Sequence, residues 1–201
     1  KEDDYLDKAG LMVFNMQFTG NWGFEINLDY GKAKDLDVKY NSYSATLSTW
    51  FHPSPNWHGN VWSGYSRTYN FSRDYLAYYS WLGSSFEYQP LSTFNVGTSF
   101  DMWIEGNPSG NIEDITYNAR PYFNITPFNN LNFRVYVDNL FIRSTDRMER
   151  IIGGFLFSYN FSPKSWIYLA INEVRDRDNN FAQLKVTERA SVLKVKYLYY
   201  F

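Results

Sequence analysis

The sequence predicts an all-β protein: a transmembrane antiparallel up-and-down β-barrel of about eleven strands, forming a single segment over residues 1–201. Three observations predict it. Apolar and polar residues alternate every two positions along nearly the whole chain, which is the period of a strand with one greasy face. Rings carry the apolar load, with 18 Tyr, 17 Phe and 7 Trp among 201 residues, where a soluble core would draw mainly on Leu, Ile, Val and Ala. Tight turns alternate with longer charged connections, as in barrels with short turns on one side of a membrane and loops on the other.

The segments follow in order. Near residues 11–19, Phe14, Met16 and Phe18 oppose Asn15, Gln17 and Thr19. Over 23–32, Phe24, Ile26, Leu28 and Tyr30 oppose Glu25, Asn27 and Asp29. Over 38–52, Tyr43, Ala45, Leu47 and Phe51 oppose Ser42, Ser44, Thr46 and Ser48. Segments 57–69 and 75–89 come next, and in 93–105 Phe94, Val96, Phe100, Met102 and Ile104 oppose Asn95, Ser99, Asp101 and Glu105. Over 114–126, Ile115, Tyr117, Phe123 and Ile125 oppose Thr116, Asn118, Arg120 and Asn124. Over 131–143, Leu131, Phe133, Val135 and Val137 oppose Asn132, Arg134 and Asp138. Segments 149–161, 165–175 and 186–201 complete the set. Most reach the roughly 9 to 11 residues that a tilted strand needs to cross a bilayer.

Connections sort into two kinds. GNW (20–22), PSPN (53–56), QPLS (89–92), TPFNN (126–130) and SPKS (162–165) are built from turn formers. GKAKDLD (31–37), NFSRD (70–74), GNPSGNIED (106–114), STDRMER (144–150) and RDRDNN (175–180) are charged or longer. Pro53, Pro90, Pro127 and Pro163 recur at near-constant spacing, so the repeating unit is one hairpin plus its return. Rings flank the tight turns, including Phe18, Trp22, Phe51, Trp57, Phe128, Phe161 and Trp166, as in a girdle at headgroup level.

Composition excludes other classes. No window approaches the roughly 18 uninterrupted apolar residues of a membrane helix. The net charge of −2 gives nucleic acid no footprint. Cys is absent, which removes disulfides and thiolate metal sites. The opening KEDDYLDK has neither an initiator Met nor a signal peptide, which suggests a processed or internal piece.

The chain ends KVKYLYYF, with Leu193, Val195, Tyr197, Tyr199 and Phe201 spaced two apart. This ending resembles the C-terminal assembly signal of bacterial outer-membrane barrels. More narrowly, YNFSPKSWIYLAINEVRD followed by VTERASVLKVKYLYYF is similar to the end of large Bacteroidetes-type barrels that carry an N-terminal carbohydrate-binding-like domain. The resemblance implies an outer-membrane location with a periplasmic C-terminus, docking on the barrel assembly machinery through the last strand, and a portion missing before residue 1. Strand count agrees, because a single-chain bacterial barrel has an even number of strands. An odd wall leaves an edge unpaired in hydrocarbon. Further strands from a preceding segment or another chain are therefore expected, with this chain as the C-terminal part of a larger barrel. The other expected partners are the lipid bilayer and lipopolysaccharide.

The polar register nominates lumen-lining charges of both signs: Glu25, Asp29, Glu87, Asp101, Glu105, Arg120, Arg134, Asp138, Glu173, Lys194 and Lys196. They can tune which solutes pass, or pair into a lattice that stiffens the wall. Trp62, Trp81, Trp103 and Tyr136 share that register and either fill space or stack on sugars. The expected function is a porin-like pore or channel component for small polar solutes or sugars, without cofactor or metal. The alternative is a plugged structural or docking subunit of an outer-membrane complex. An outer-membrane hydrolase is disfavoured, since His52 and His58 are the only histidines and flank a tight turn. A soluble sandwich is disfavoured too, because the polar register would make a core whose buried groups lack partners.

Overall fold

The computed structural model describes residues 7–35, 38–177 and 183–198. Eleven strands follow in chain order: β1 (Asp7–Phe18), β2 (Trp22–Asp35), β3 (Val38–Ser54), β4 (Trp57–Asn70), β5 (Tyr75–Leu91), β6 (Phe94–Gly106), β7 (Ile112–Phe128), β8 (Leu131–Ile142), β9 (Arg147–Ser162), β10 (Ser165–Arg177) and β11 (Leu184–Lys196). Their order in the sheet is their order in the chain. Each strand is hydrogen-bonded to its sequence neighbours, so the expected up-and-down antiparallel all-β architecture is observed.

Alternation becomes two faces because directly paired residues of an antiparallel ladder project to the same side. Contacts divide the chain into two compact units, residues 1–84 with 101–116, and 85–100 with 117–201. In the first, Glu25 pairs with Asn15 and Ser48, and Ser48 with Trp62. Phe24 pairs with Met16 and Thr49, and Tyr30 with Tyr43. In the second, Tyr136 pairs with Gly154, which pairs with Asn172. Phe133 and Phe157 pair on the opposite side. One face is thus polar and the other rich in rings, within each unit.

Turn chemistry holds the strands in register. Asn21 and Lys164 adopt left-handed φ of 56° and 58° in two tight turns, and Asp74 and Asp146 do so at 58° and 50° in two of the longer ones. Asn and Asp tolerate that region best. The Lys164 position is the more strained of the two tight turns.

Several expected loops are partly strand: 112–114 belongs to β7, 147–150 to β9 and 175–177 to β10. The largest such difference is in the charged stretch 31–37, where β2 runs to Asp35 and β3 starts at Val38. Lys32 pairs with Asn41 and Lys34 with Lys39. The ladder continues because its hydrogen bonds are backbone bonds, indifferent to side-chain charge.

The packing has no second layer to bury. Among the described residues the buried apolar side chains are Ala77 and Ile115. On the ring-rich side Leu28 is 43% exposed, Leu47 41% and Leu193 68%, and Leu82, Phe86, Phe123 and Ile171 are exposed as well. A water-soluble protein does not leave so much contiguous apolar surface uncovered.

Candidate functional site

The polar face of the first unit carries carboxylates beside tryptophans. Glu25 on β2 accepts from Asn15 Nδ2 at 3.0 Å and Asn27 Nδ2 at 2.8 Å. Asp29 accepts from Ser44 Oγ at 3.5 Å. Glu105 near the end of β6 receives Asn70 Nδ2 at 2.9 Å and pairs with Arg73 Nε at 3.3 Å. Asp101 is exposed on the same face, two residues before Trp103. The first half of β1 departs from expectation, since Leu11 and Val13 pair with Asp29 and Asn27 and bring apolar side chains to the polar side.

The tryptophans mostly build wall. A Cβ added at Gly83 would collide with Trp62, and one added at Gly64 would collide with Trp81. Each indole therefore lies on the bare backbone of the other's strand, and the two joints lock β4 to β5 reciprocally. Trp103 is different: it stacks on Trp81 with centroids 5.2 Å apart and planes 14° apart, and stays 45% exposed. The space-filling reading suits Trp62 and Trp81. Trp103 keeps a ring face in the open.

The second unit builds its polar face from arginine, tyrosine and carboxylate. Asp138 on β8, 6% exposed, accepts from Asn118 Nδ2 at 2.6 Å and from Arg120 Nε at 2.9 Å on β7, with a second bond from Arg120 Nη2. Tyr122 donates its hydroxyl to Glu87 at 2.6 Å, and Asn95 donates to the other oxygen of Glu87 at 3.3 Å. The Arg134 guanidinium lies 4.5 Å from the Tyr122 ring centroid and that of Arg120 5.8 Å from Tyr136. Tyr136 in turn lies on Gly154 and donates to Asn172 at 3.0 Å. These side chains, with Ser85, Ser99 and Leu156, line an open recess of about 470 Å³. One opposite-charge pair, Arg120 with Asp138, forms here, while Glu87 is held by a hydroxyl and an amide and Arg134 rests on a ring.

Three expectations need separate report. Glu173 is corrected: it pairs with Gly153 and Arg189 in the ladder, in register with Phe155 and Leu193, so it belongs to the ring-rich face. There it binds Arg175 at 2.6 Å and Arg189 at 2.8 Å. Sequence alternation missed this because the charge pattern of 173–176 runs through both registers. Lys194 and Lys196 are exposed on the polar register, with Lys196 Nζ 5.3 Å from the Trp166 ring centroid. Of the terminal signal, Tyr197 stacks on Phe161 at 6.3 Å, while Tyr199 and Phe201 lie outside the described residues.

The histidines engage one another. His52 Nδ1 and His58 Nδ1 are 2.8 Å apart across the second tight turn. Among the described residues no three metal-ligating side chains converge. No helix is long and apolar enough to cross a membrane, a statement that does not bear on strands.

No family model matches the chain, and no curated protein does. Among solved structures the chain is similar to the NanC porin, at 10% identity and TM-score 0.49, covering 96% of this chain and 94% of that one. It is also similar to the KdgM porin solved with a disordered oligogalacturonate, at 10% identity and TM-score 0.43, covering 94% and 95%.

Proposed function

We propose that this chain is wall of an outer-membrane β-barrel, non-enzymatic, whose polar face borders a path for small polar solutes. The observation that carries the reading is the uncovered ring-rich face. A sheet that buries only Ala77 and Ile115 among its described apolar side chains gains its hydrophobic stabilisation from lipid, not from a second sheet. The opposite face, where Arg120 meets Asp138 and Tyr122 meets Glu87, is chemically a water-bordering wall. In this reading the tight turns and the C-terminus are periplasmic, the terminal strand engages the assembly machinery, and strands from a preceding segment or another chain extend the wall beyond β1.

Conductance in planar bilayers tests the path. Reconstituted protein that inserts and passes stepwise ionic current has the expected behaviour. Insertion without current points to the plugged docking subunit, and failure to insert removes the membrane reading.

A further inference from the structure

The ring-rich face should hold apolar side chains from end to end, yet the first unit interrupts it with cations. Register places them there. Lys32 on β2 pairs with Lys8 on β1 and Asn41 on β3, Lys39 pairs with Lys34, and Arg67 on β4 pairs with Tyr43. All are in step with Leu28, Tyr30 and Leu47. All stand at the end of the strands away from the tight turns.

The same residues form a recess. Lys32, Lys39, Asn41, Arg67 and Leu76 contribute to the lining of a cavity of about 320 Å³, and Lys32 is shared with a neighbouring one of about 310 Å³ that includes Lys8 and Tyr30. Arg67 is held between two rings, its Cζ 6.0 Å from the Tyr43 centroid and 5.8 Å from that of Tyr78. Its Nε–H is buried and has no acceptor. Among the described residues no carboxylate pairs with this guanidinium, so its charge is left for an anion from outside the chain to neutralise through the cavity that Arg67 helps to line. Asp29 is on the polar register beside Ser44, and Asp74 takes the Tyr69 hydroxyl at 2.5 Å in the turn after β4.

We infer that Lys32, Lys39 and Arg67 form a site for the phosphate of a membrane lipid, of the phosphorylated-glycolipid kind that lipopolysaccharide supplies. Guanidinium and ammonium groups match phosphate oxygens in charge and donor geometry. Tyr30, Tyr43, Tyr65 and Tyr78 mark the headgroup level, where such rings partition. Below them Leu28 and Leu47 are 43% and 41% exposed, a surface for the acyl chains attached to that phosphate. A free anion gains nothing from this apolar floor. The inference rests on the membrane reading above and on the lipopolysaccharide partner expected from the sequence, and it adds the phosphate as the recognised group and the residues that hold it.

The test titrates the full chain, folded in neutral detergent micelles, with lipid A, with dephosphorylated lipid A and with inorganic phosphate, reading adducts by native mass spectrometry. Lipid A should bind, and the Lys32→Glu/Lys39→Glu double variant should weaken it at least tenfold while its circular dichroism and vesicle insertion stay unchanged. Arg67→Lys should lose part of the affinity. Equal binding of the dephosphorylated lipid overturns the phosphate site, and inorganic phosphate binding as tightly as lipid A overturns the lipid assignment. Absence of any adduct overturns the site itself. Should wild type and double variant still insert into vesicles, the membrane reading survives that result; should neither insert, the reading fails with it.

Discussion

Each unit must keep a polar sheet face ordered, and the two do so with a different balance of chemistry. In the first unit the answer is shape. Indoles of Trp62 and Trp81 lie on Gly83 and Gly64, and close packing of large rings on bare backbone fixes β4 against β5 without a charge. The second unit repeats such joints, with Tyr136 on Gly154 and Tyr122 on Gly97, and adds a polar lattice in which Arg120 and Asn118 bind Asp138 and Tyr122 binds Glu87 across β5 to β8. Shape joints resist any added atom, whereas a polar lattice tolerates volume change and resists loss of a partner. The contrast predicts which substitutions each half will bear.

The largest effect is expected where shape is violated. Gly83→Val puts a branched side chain where Trp62 lies and should destabilise by about 3 kcal/mol, the upper end for overpacking. A urea-unfolding midpoint in micelles reads it, and Gly83→Val combined with Trp62→Ala should recover part of the loss. No recovery would mean the joint is not the cause.

Next comes removal of the shared acceptor. Asp138→Ala strands Asn118 and Arg120 beside a 6% exposed position and should cost about 2 kcal/mol, less than a fully buried pair because Arg120 is half exposed. Asp138→Asn keeps one acceptor and should lose less, by the same measurement. A smaller loss, about 1 kcal/mol for one net hydrogen bond, is expected for Tyr122→Phe, which removes the bond to Glu87. If Tyr122→Phe proved as harmful as Gly83→Val, the division between shape and charge would be wrong.

The smallest effect belongs to the ring-rich face. Glu173→Gln alters an ion pair whose arginines, Arg175 and Arg189, are 52% and 71% exposed. Glu173 stands near the end of β10 away from the tight turn, at the aqueous rim in the proposed membrane reading, where solvent and salt screen such pairs, so the unfolding midpoint should not move measurably at 150 mM salt, on the order of physiological ionic strength.

Much of this was legible in the chain. Phe14, Met16 and Phe18, or Phe133, Val135 and Val137, declare one strand face by period alone, because successive side chains must point to opposite sides. Glu25 and Asp29 in the first unit, and Arg134, Asp138, Lys194 and Lys196 in the second, take the polar register in the strand pairing. Alternation failed where charge occupied both registers. Lys32 and Lys34 fall in a stretch read as a connection although they continue the ladder, and Glu173 read as lumen although it faces the other way. Which cation meets which ring, as Arg67 does Tyr43 and Tyr78, had no local signal at all.

Sequence by itself determined that these segments are strands, that each has a greasy and a polar side, and where the chain reverses. Those properties follow from stereochemistry and from the positions of Pro, Gly and Asn, which act within a few residues. Only the tertiary structure decided the joints and pairs: Trp62 on Gly83, Arg120 on Asp138, the recess around Lys32 and Arg67. These depend on register between strands, and a shift of two residues would preserve every face while changing every partner.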